Sequence, residues 1–258
     1  MWAVGIEPGR VVLRETPVPI ERWPADLGPL RIAALADLHT GSPHITVAKL
    51  REIVASVNAA QPDLIVLLGD YVIHGVAGGR SVEIEQTAAA LRDLKAPLGV
   101  FAVLGNHDWW YDGARCVRAL EAVGIHVLED AAAEVTVRGH PLWIAGISDL
   151  RTRPAAIGRA LAPVPAGAPV IVLTHNPDLF TRMPPRVLLT LAGHTHGGQV
   201  NLPVLGRLIV PSHFGDRYAI GHIQEDDRDL FVSPGIGTSI VPVRFRVPPE
   251  ISMLTVGR

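Results

Sequence analysis

The stretch LAGHTHGGQV (residues 191–200) closes an apolar run with two histidines, His194 and His196, set among glycines. Imidazoles taken out of water must be hydrogen-bonded or otherwise satisfied, so a buried strand gains nothing from them. Four other apolar runs end in a similar way: RIAALAD at Asp37 with His39 just beyond, LIVLLGD at Asp70, GVFAVLGNHD at Asn106 and His107, and PVIVLTHNP at His175. Each ending has a plain alternative when taken alone. Asp37 and Asp70 could be helix caps or turn residues, Asn106-His107 a turn, and His175 or the His194–His196 pair solvated loop histidines. Five such endings in one chain argue instead for a single shared site. Carboxylates, imidazoles and an amide oxygen without sulfur suit Mn, Fe, Zn, Co or Ni, and do not choose among them.

The elements between these residues must bring them together. Apolar runs alternate with helical patterns, which predicts an α/β fold whose strands are covered on both faces. In open α/β sheets the carboxyl ends of the strands line the ligand crevice, so residues spread from 37 to 196 would meet on one rim. Gly69, Gly105 and Gly193 stand just before candidate ligands, where the backbone must turn sharply. Helices are expected over VAKLREIVASVNAA, capped by Thr46 with Val47, Leu50, Val54 and Val57 on one face, around EIEQTAAALRDLK, and over 113–123. VVLRETPVPI reads as an edge strand because its prolines would break a central ladder. The strand-like tail segments QVNLP, RLIVPS, LFVSPG and EISMLTV are expected to extend the sheets, giving one domain over 1–258.

Composition narrows the class. With 48% apolar and 19% charged residues the chain can build a large core and shows no disorder signature. A net charge of −2 argues against bulk neutralisation of phosphates, so no nucleic acid binding is expected. Of the 23 cations only Lys49 and Lys95 are lysines, an arginine bias that reads as background composition. Cys116 is the only cysteine, which excludes an internal disulfide and a thiolate cluster. No apolar run reaches 18 residues, and MWAVGIEPGR lacks the features of a signal peptide. The expected location is cytoplasmic or membrane-peripheral, with room for an anchor preceding Met1.

The series D-L-H (37–39), G-D (69–70), G-N-H-D (105–108), H (175) and G-H-T-H (193–196) resembles the calcineurin-like metallophosphoesterase superfamily in order and spacing. LTHNPD, AGHTHGGQV and the tail SPGIGTS…PVRFRVPPEI resemble one bacterial branch of it. That branch includes membrane-associated phosphodiesterase-like proteins and relatives that cleave a lipid A precursor at its pyrophosphate. The resemblance implies a four-layer α/β/β/α sandwich and a dinuclear metal centre. Asp37, His39, Asp70 and His196 would hold one divalent ion, and Asp70, Asn106, His175 and His194 the other, with Asp70 shared. His107 would be the catalytic histidine, assisting the leaving group. Two such ions about 3.5–4 Å apart can clamp phosphoryl oxygens and supply a nucleophile near neutral pH. The resemblance implies a phosphoester substrate as partner, a phosphodiester or pyrophosphate that relatives in this branch take in lipid-linked form, with peripheral membrane association.

Two departures matter. Protein serine/threonine phosphatases of the superfamily read GDYVDRG and GNHE, where this chain reads GDYVIHG and GNHD, which disfavours protein phosphatase activity. Non-catalytic scaffolds on the fold tend to lose ligands or the catalytic histidine, and here all are present. His74 could reach a substrate from its loop, whereas His44, His126, His140, His213 and His222 read as surface or turn residues. Arg217, Tyr218, Arg244 and Arg246 are candidate contacts for a second phosphate, against the commoner role of a solvated arginine.

Overall fold

A strand covered on both faces needs apolar side chains at every position, sorted alternately to its two sides. The computed structural model, which describes residues 1–258, uses the central runs in this way. The first half contains β1 (Val12–Pro19), β2 (Leu30–Leu35), α1 (Val47–Ala59), β3 (Leu64–Leu67), α2 (Ile84–Leu91), β4 (Val100–Ala102), α3 (Asn106–Glu121) and β5 (His126–Val127). Next come β6 (Ala131–Val137), β7 (His140–Ile147), α4 (Ile157–Leu161), β8 (Val170–Thr174) and β9 (Leu189–Ala192). The chain finishes with β10 (Asn201–Leu202), β11 (Gly206–Arg207), β12 (Gly221–Glu225), β13 (Arg228–Val232) and β14 (Glu250–Gly257).

Two six-stranded sheets result, ordered β1-β14-β2-β3-β4-β5 and β12-β13-β9-β8-β7-β6. β2 to β5 are mutually parallel, as are β7, β8, β9 and β13. Ala33 and Leu35 of β2, with Ile65 and Leu67 of β3, face outward into a core shared with α1, α2 and α3. The alternate residues Ile32, Ala34, Leu64 and Val66 face inward, against Ile171, Leu173, Leu189 and Leu191 of the other sheet. Val170 and Val172 turn to the far side, where Ala160 and Leu161 of α4 cover them with Leu179 and Phe180 of the turn Pro177–Arg182. Three apolar interfaces separate four layers, so the molecule is an α/β/β/α sandwich.

Local signals were read well in places. Thr46 caps α1 by accepting from the Lys49 backbone N–H at 3.1 Å, and β1 lies on a sheet edge. Two expectations need correction. The tail does not simply extend the sheets: β13 and β14 do, but β10 and β11 form a separate hairpin. The expected helix over 113–123 is the second half of α3, which begins at Asn106 and kinks at Asp112. The Asp112 carboxylate accepts from the Arg115 N–H at 2.9 Å, capping that second half anew.

Candidate metal centre

Every parallel strand named in the sequence reading delivers its polar ending to the same edge of the sandwich. Asp37 and His39 follow β2, Asp70 follows β3, Asn106 and His107 follow β4, His175 follows β8, and His194 and His196 follow β9. All eight are buried. Asp37, His39 and His196 form one cluster of donor atoms lying within 4.8 Å of one another, and Asp70, His175 and His194 form a second. Asp70 joins them: its Oδ2 lies 3.6 Å from His39 Nε2, 3.3 Å from His175 Nε2 and 3.9 Å from His107 Nε2.

The backbone is bent to achieve this. Asp37, His39, Asp70, His194 and His196 have φ of 51°, 42°, 57°, 71° and 53°, a region that costs a residue with a Cβ about 1–2 kcal/mol. Five adjacent penalties persist only where the surroundings over-determine them. Asp108 supplies part of that: its carboxylate accepts from the N–H groups of Asp70 (2.8 Å), Tyr71 (2.8 Å) and Gly105 (2.9 Å). The Asp37 carboxylate accepts from the His194 N–H at 3.0 Å, tying the ends of β2 and β9 together. Close approach explains two of the glycines. A Cβ on Gly193 would meet Ala36 Cβ and Asp37 Oδ2 at 2.7 Å, and one on Gly105 would collide with the Asp70 carboxylate.

The imidazoles are oriented as ligands need to be. His39 Nδ1 donates to the Val72 carbonyl (3.1 Å) and His175 Nδ1 to the Leu68 carbonyl (2.7 Å). A carbonyl can only accept, so each ring carries its proton outward and turns an Nε2 lone pair into the site. Those lone pairs face other imidazole nitrogens, His196 Nε2 at 3.2 Å and His194 Nδ1 at 3.1 Å. Asn106 Oδ1 is buried and accepts no hydrogen bond. Converging lone pairs and an orphaned amide oxygen fit divalent cations better than any hydrogen-bonded core.

Electrostatics point the same way. Burial pushes the His39 pKa down to about 4 and those of His194 and His196 well below the usual imidazole value. Burial also raises Asp37 to about 7. Asp70 and His175 resist burial by facing each other. Burial alone would raise Asp70, but His175, His107 and His39 outweigh it and hold the carboxyl well below its usual range. Burial alone would lower His175, but Asp70 pushes it up to about 10. Neutral His39, His194 and His196 beside an ionised Asp70 are already in the states that metal ligation requires, whereas His175 and Asp37 would release protons as a cation binds.

His107 sits at the cluster's edge. Its ring is 4.7 Å from that of His39, 5.0 Å from the exposed Trp110 and 6.2 Å from His74, centroid to centroid. Its Nδ1 has no partner, consistent with the absence of an aspartate at the Ile73 position. Other readings of the tail must change. Arg244 is completely buried and donates to the carbonyls of Pro234, Gly235, Gly237 and Val247, so it holds a loop and cannot reach a ligand. Arg217 and Tyr218 both bond Glu225. Two residues at the centre escaped the sequence reading. Asp108 was read only as part of a motif. Arg151, past the end of β7, places Nη1 3.4 Å from His194 Nε2; PLWIAGISDLR ends in polar residues like the other five runs, and that was the available signal.

The chain is similar to known proteins over most of its length. The chain is 30% identical over 258 residues to the uncharacterised metallophosphoesterase YkuE of Bacillus subtilis, covering 98% of this chain and 88% of that one. It is 30% identical to the phosphodiesterase YaeI of Escherichia coli, covering 88% and 82%. A Danio rerio transmembrane protein with metallophosphoesterase domain is 31% identical over 95% of this chain, which spans 57% of that protein. Among solved structures, the NAD nucleotidase of Haemophilus influenzae superposes with a TM-score of 0.54 at 14% identity, covering 81% of this chain and 46% of its own, a likeness of fold. The sequence model of the calcineurin-like phosphoesterases runs from residue 30 to 198, across all five of the strand endings that were read as ligand-bearing, and the chain belongs to that family.

Proposed function

We propose that the chain hydrolyses a phosphodiester or pyrophosphate bond with two divalent metal ions. Asp37, His39, Asp70 and His196 would hold one ion, and Asp70, Asn106, His175 and His194 the other. The observation that carries this reading is the position of Asp70 Oδ2 between the Nε2 lone pairs of His39 and His175, one from each cluster. When bound, such a pair of ions supplies charge neutralisation for the phosphoryl oxygens and a nucleophile at neutral pH. The chain's own residues do the rest. Asp70 fixes the separation of the two halves, and Asn106 offers an uncharged oxygen that leaves the centre net positive toward a phosphate. His107, free of backbone partners on its ring, is placed to hold a proton for the departing oxygen. The name of YaeI, a phosphodiesterase, favours the same bond class.

Exposed apolar side chains favour a lipid-linked substrate. Val204, Leu205, Leu208 and Ile209, with Ile240 and Val241, are open to solvent. Gln199, three residues beyond His196, ties the second of these segments to the rim of the centre by donating to the Val241 carbonyl (3.2 Å) and accepting from the Ser239 N–H (2.7 Å). The test is an activity panel on protein reconstituted with Mn, Fe, Zn, Co or Ni in turn, spanning monoesters, diesters and a nucleoside-diphospho-lipid. Turnover of diesters or of the diphospho-lipid is the expected result. Inactivity with every metal on every substrate would sink the hydrolase reading and leave a binding scaffold.

A further inference from the structure

Beside the candidate centre, the loop after β7 and the end of the turn Pro177–Arg182 enclose an open cleft of about 420 Å³, lined by Arg151, Thr152, Arg153 and Arg182. The three guanidinium groups are exposed, and none takes part in any of the arginine or lysine ion pairs of the structure. Three unneutralised cations around one hollow are unexpected in a chain whose net charge is −2.

The cleft is held in shape. The buried Asp149 Oδ2 accepts from the Arg151 N–H (3.1 Å), the Thr152 N–H (3.0 Å) and the Thr152 hydroxyl (2.8 Å), so the loop backbone is fixed from beneath. The Arg153 guanidinium lies over the Trp109 ring with Cζ 4.3 Å from its centroid. Packing against the ring restrains a guanidinium whose N–H edge is the part that binds phosphate oxygens in pairs. Arg151 opens the cleft onto the centre, since its Nη1 is 3.4 Å from the outer nitrogen of His194.

We infer that this arginine cleft binds a second, non-reacting phosphoryl group of the substrate, next to the phosphorus attacked at the centre. The inference rests on the proposed phosphoesterase reading and narrows its substrate class to molecules with two neighbouring phosphates. Binding energy from the spectator phosphate would then serve catalysis at the first. Arg153 and Arg182 are the residues to test, because Arg151 also touches a candidate ligand.

A matched pair of substrates separates the contributions: the methyl ester of adenosine 5′-monophosphate, and the methyl ester of adenosine 5′-diphosphate. On metal-loaded protein the diphosphate should be preferred by at least about tenfold in kcat/KM, and Arg153→Ala/Arg182→Ala should reduce that preference by about tenfold. Arg153→Lys/Arg182→Lys keeps the charge without the planar fork and should retain part of the preference. Calorimetry gives a readout independent of turnover, with adenosine 5′-(α,β-methylene)diphosphate binding more tightly than adenosine 5′-monophosphate to wild type and losing that advantage in the alanine variant. A wild type that treats the two substrates and the two ligands alike, or an alanine variant that keeps both preferences, overturns the cleft's role. Absence of turnover on both substrates would instead strike the phosphoesterase reading, while the calorimetric comparison would still decide the cleft.

Discussion

His107 Nε2 stands 3.9 Å from Asp70 Oδ2, in a group of donor atoms with Asp70 and His39, but its Nδ1 is buried without a partner, so no backbone carbonyl orients the ring as one does for His39 and His175. A positioned acid–base group contributes about 10²–10⁴-fold, and most when the leaving alkoxide is strongly basic. His107→Ala should therefore keep its metal, lose about 10²–10⁴-fold on alkyl esters and lose markedly less on nitrophenyl esters. An equal loss on both esters, or lost metal, would count against the leaving-group role. Asp70 should behave differently, because its carboxylate is shared between two clusters. Asp70→Asn keeps the shape but removes the charge, so activity and metal content should fall together. Elemental analysis that finds two ions per chain in this variant would refute the bridging assignment.

At the scale of the elements, the ends of β4 and β5 are joined by Glu129, whose Oε1 accepts from the Leu104 N–H at 3.0 Å while Oε2 is buried without a partner. Burial raises its pKa from 4.5 to about 7. A carboxyl whose folded pKa is raised binds its proton more tightly in the folded state. Stability from this group is therefore present below the unfolded value and declines as pH climbs from about 4.5 to about 7. Glu129→Gln keeps the acceptor and removes the ionisation, so it should raise the melting temperature relative to wild type at pH 8 and give no such gain at pH 4. Equal effects at both pH values would show that the carboxylate is not strained. Elements also explain what could be read in advance. Asp37, Asp70, His175 and His194 were legible because each ends an apolar run, and a strand end in a parallel sheet has only one rim to face. Asp108 was less legible because, besides capping its own helix at Gly105, it accepts the backbone N–H groups of Asp70 and Tyr71 from another loop, contacts with no signature in local spacing. Arg244 was misread for a related reason: four buried carbonyls satisfy its guanidinium, and nothing near it in sequence announces them. The β10–β11 hairpin was mistaken for sheet extension because its alternation resembles that of a ladder strand, and only the partner decides which it is.

For the molecule as a whole, one surface and one joint call for separate tests. The exposed Val204, Leu205, Leu208, Ile209, Ile240 and Val241 predict that the protein floats with liposomes, and that changing Leu208 and Ile209 to serine weakens flotation without lowering the melting temperature. No flotation, together with turnover of soluble diesters and neglect of lipid substrates, would dismiss the lipid-linked reading. The joint is the centre itself. Asp37, His39, Asp70 and Asn106 come from the sheet that contains β2, β3 and β4, whereas His175, His194 and His196 come from the sheet that contains β8 and β9. Cations held between them would clasp the two sheets at the rim, where inward lone pairs, an orphaned amide oxygen and backbone in the left-handed region are otherwise unrewarded. A ligand that binds only the folded state stabilises it by RT ln(1 + [L]/Kd), about 4 kcal/mol at a thousandfold excess over Kd. At about 2–4 °C per kcal/mol for a chain of this size, adding the preferred metal to chelated protein should raise the melting temperature by about 10 °C. Asp70→Asn should lose most of that rise, and His107→Ala should keep it, since only the former is assigned to the clasp. A metal-independent melting temperature in wild type would mean that the site gains nothing from cations, and the strained ends of β2, β3 and β9 would then need another cause.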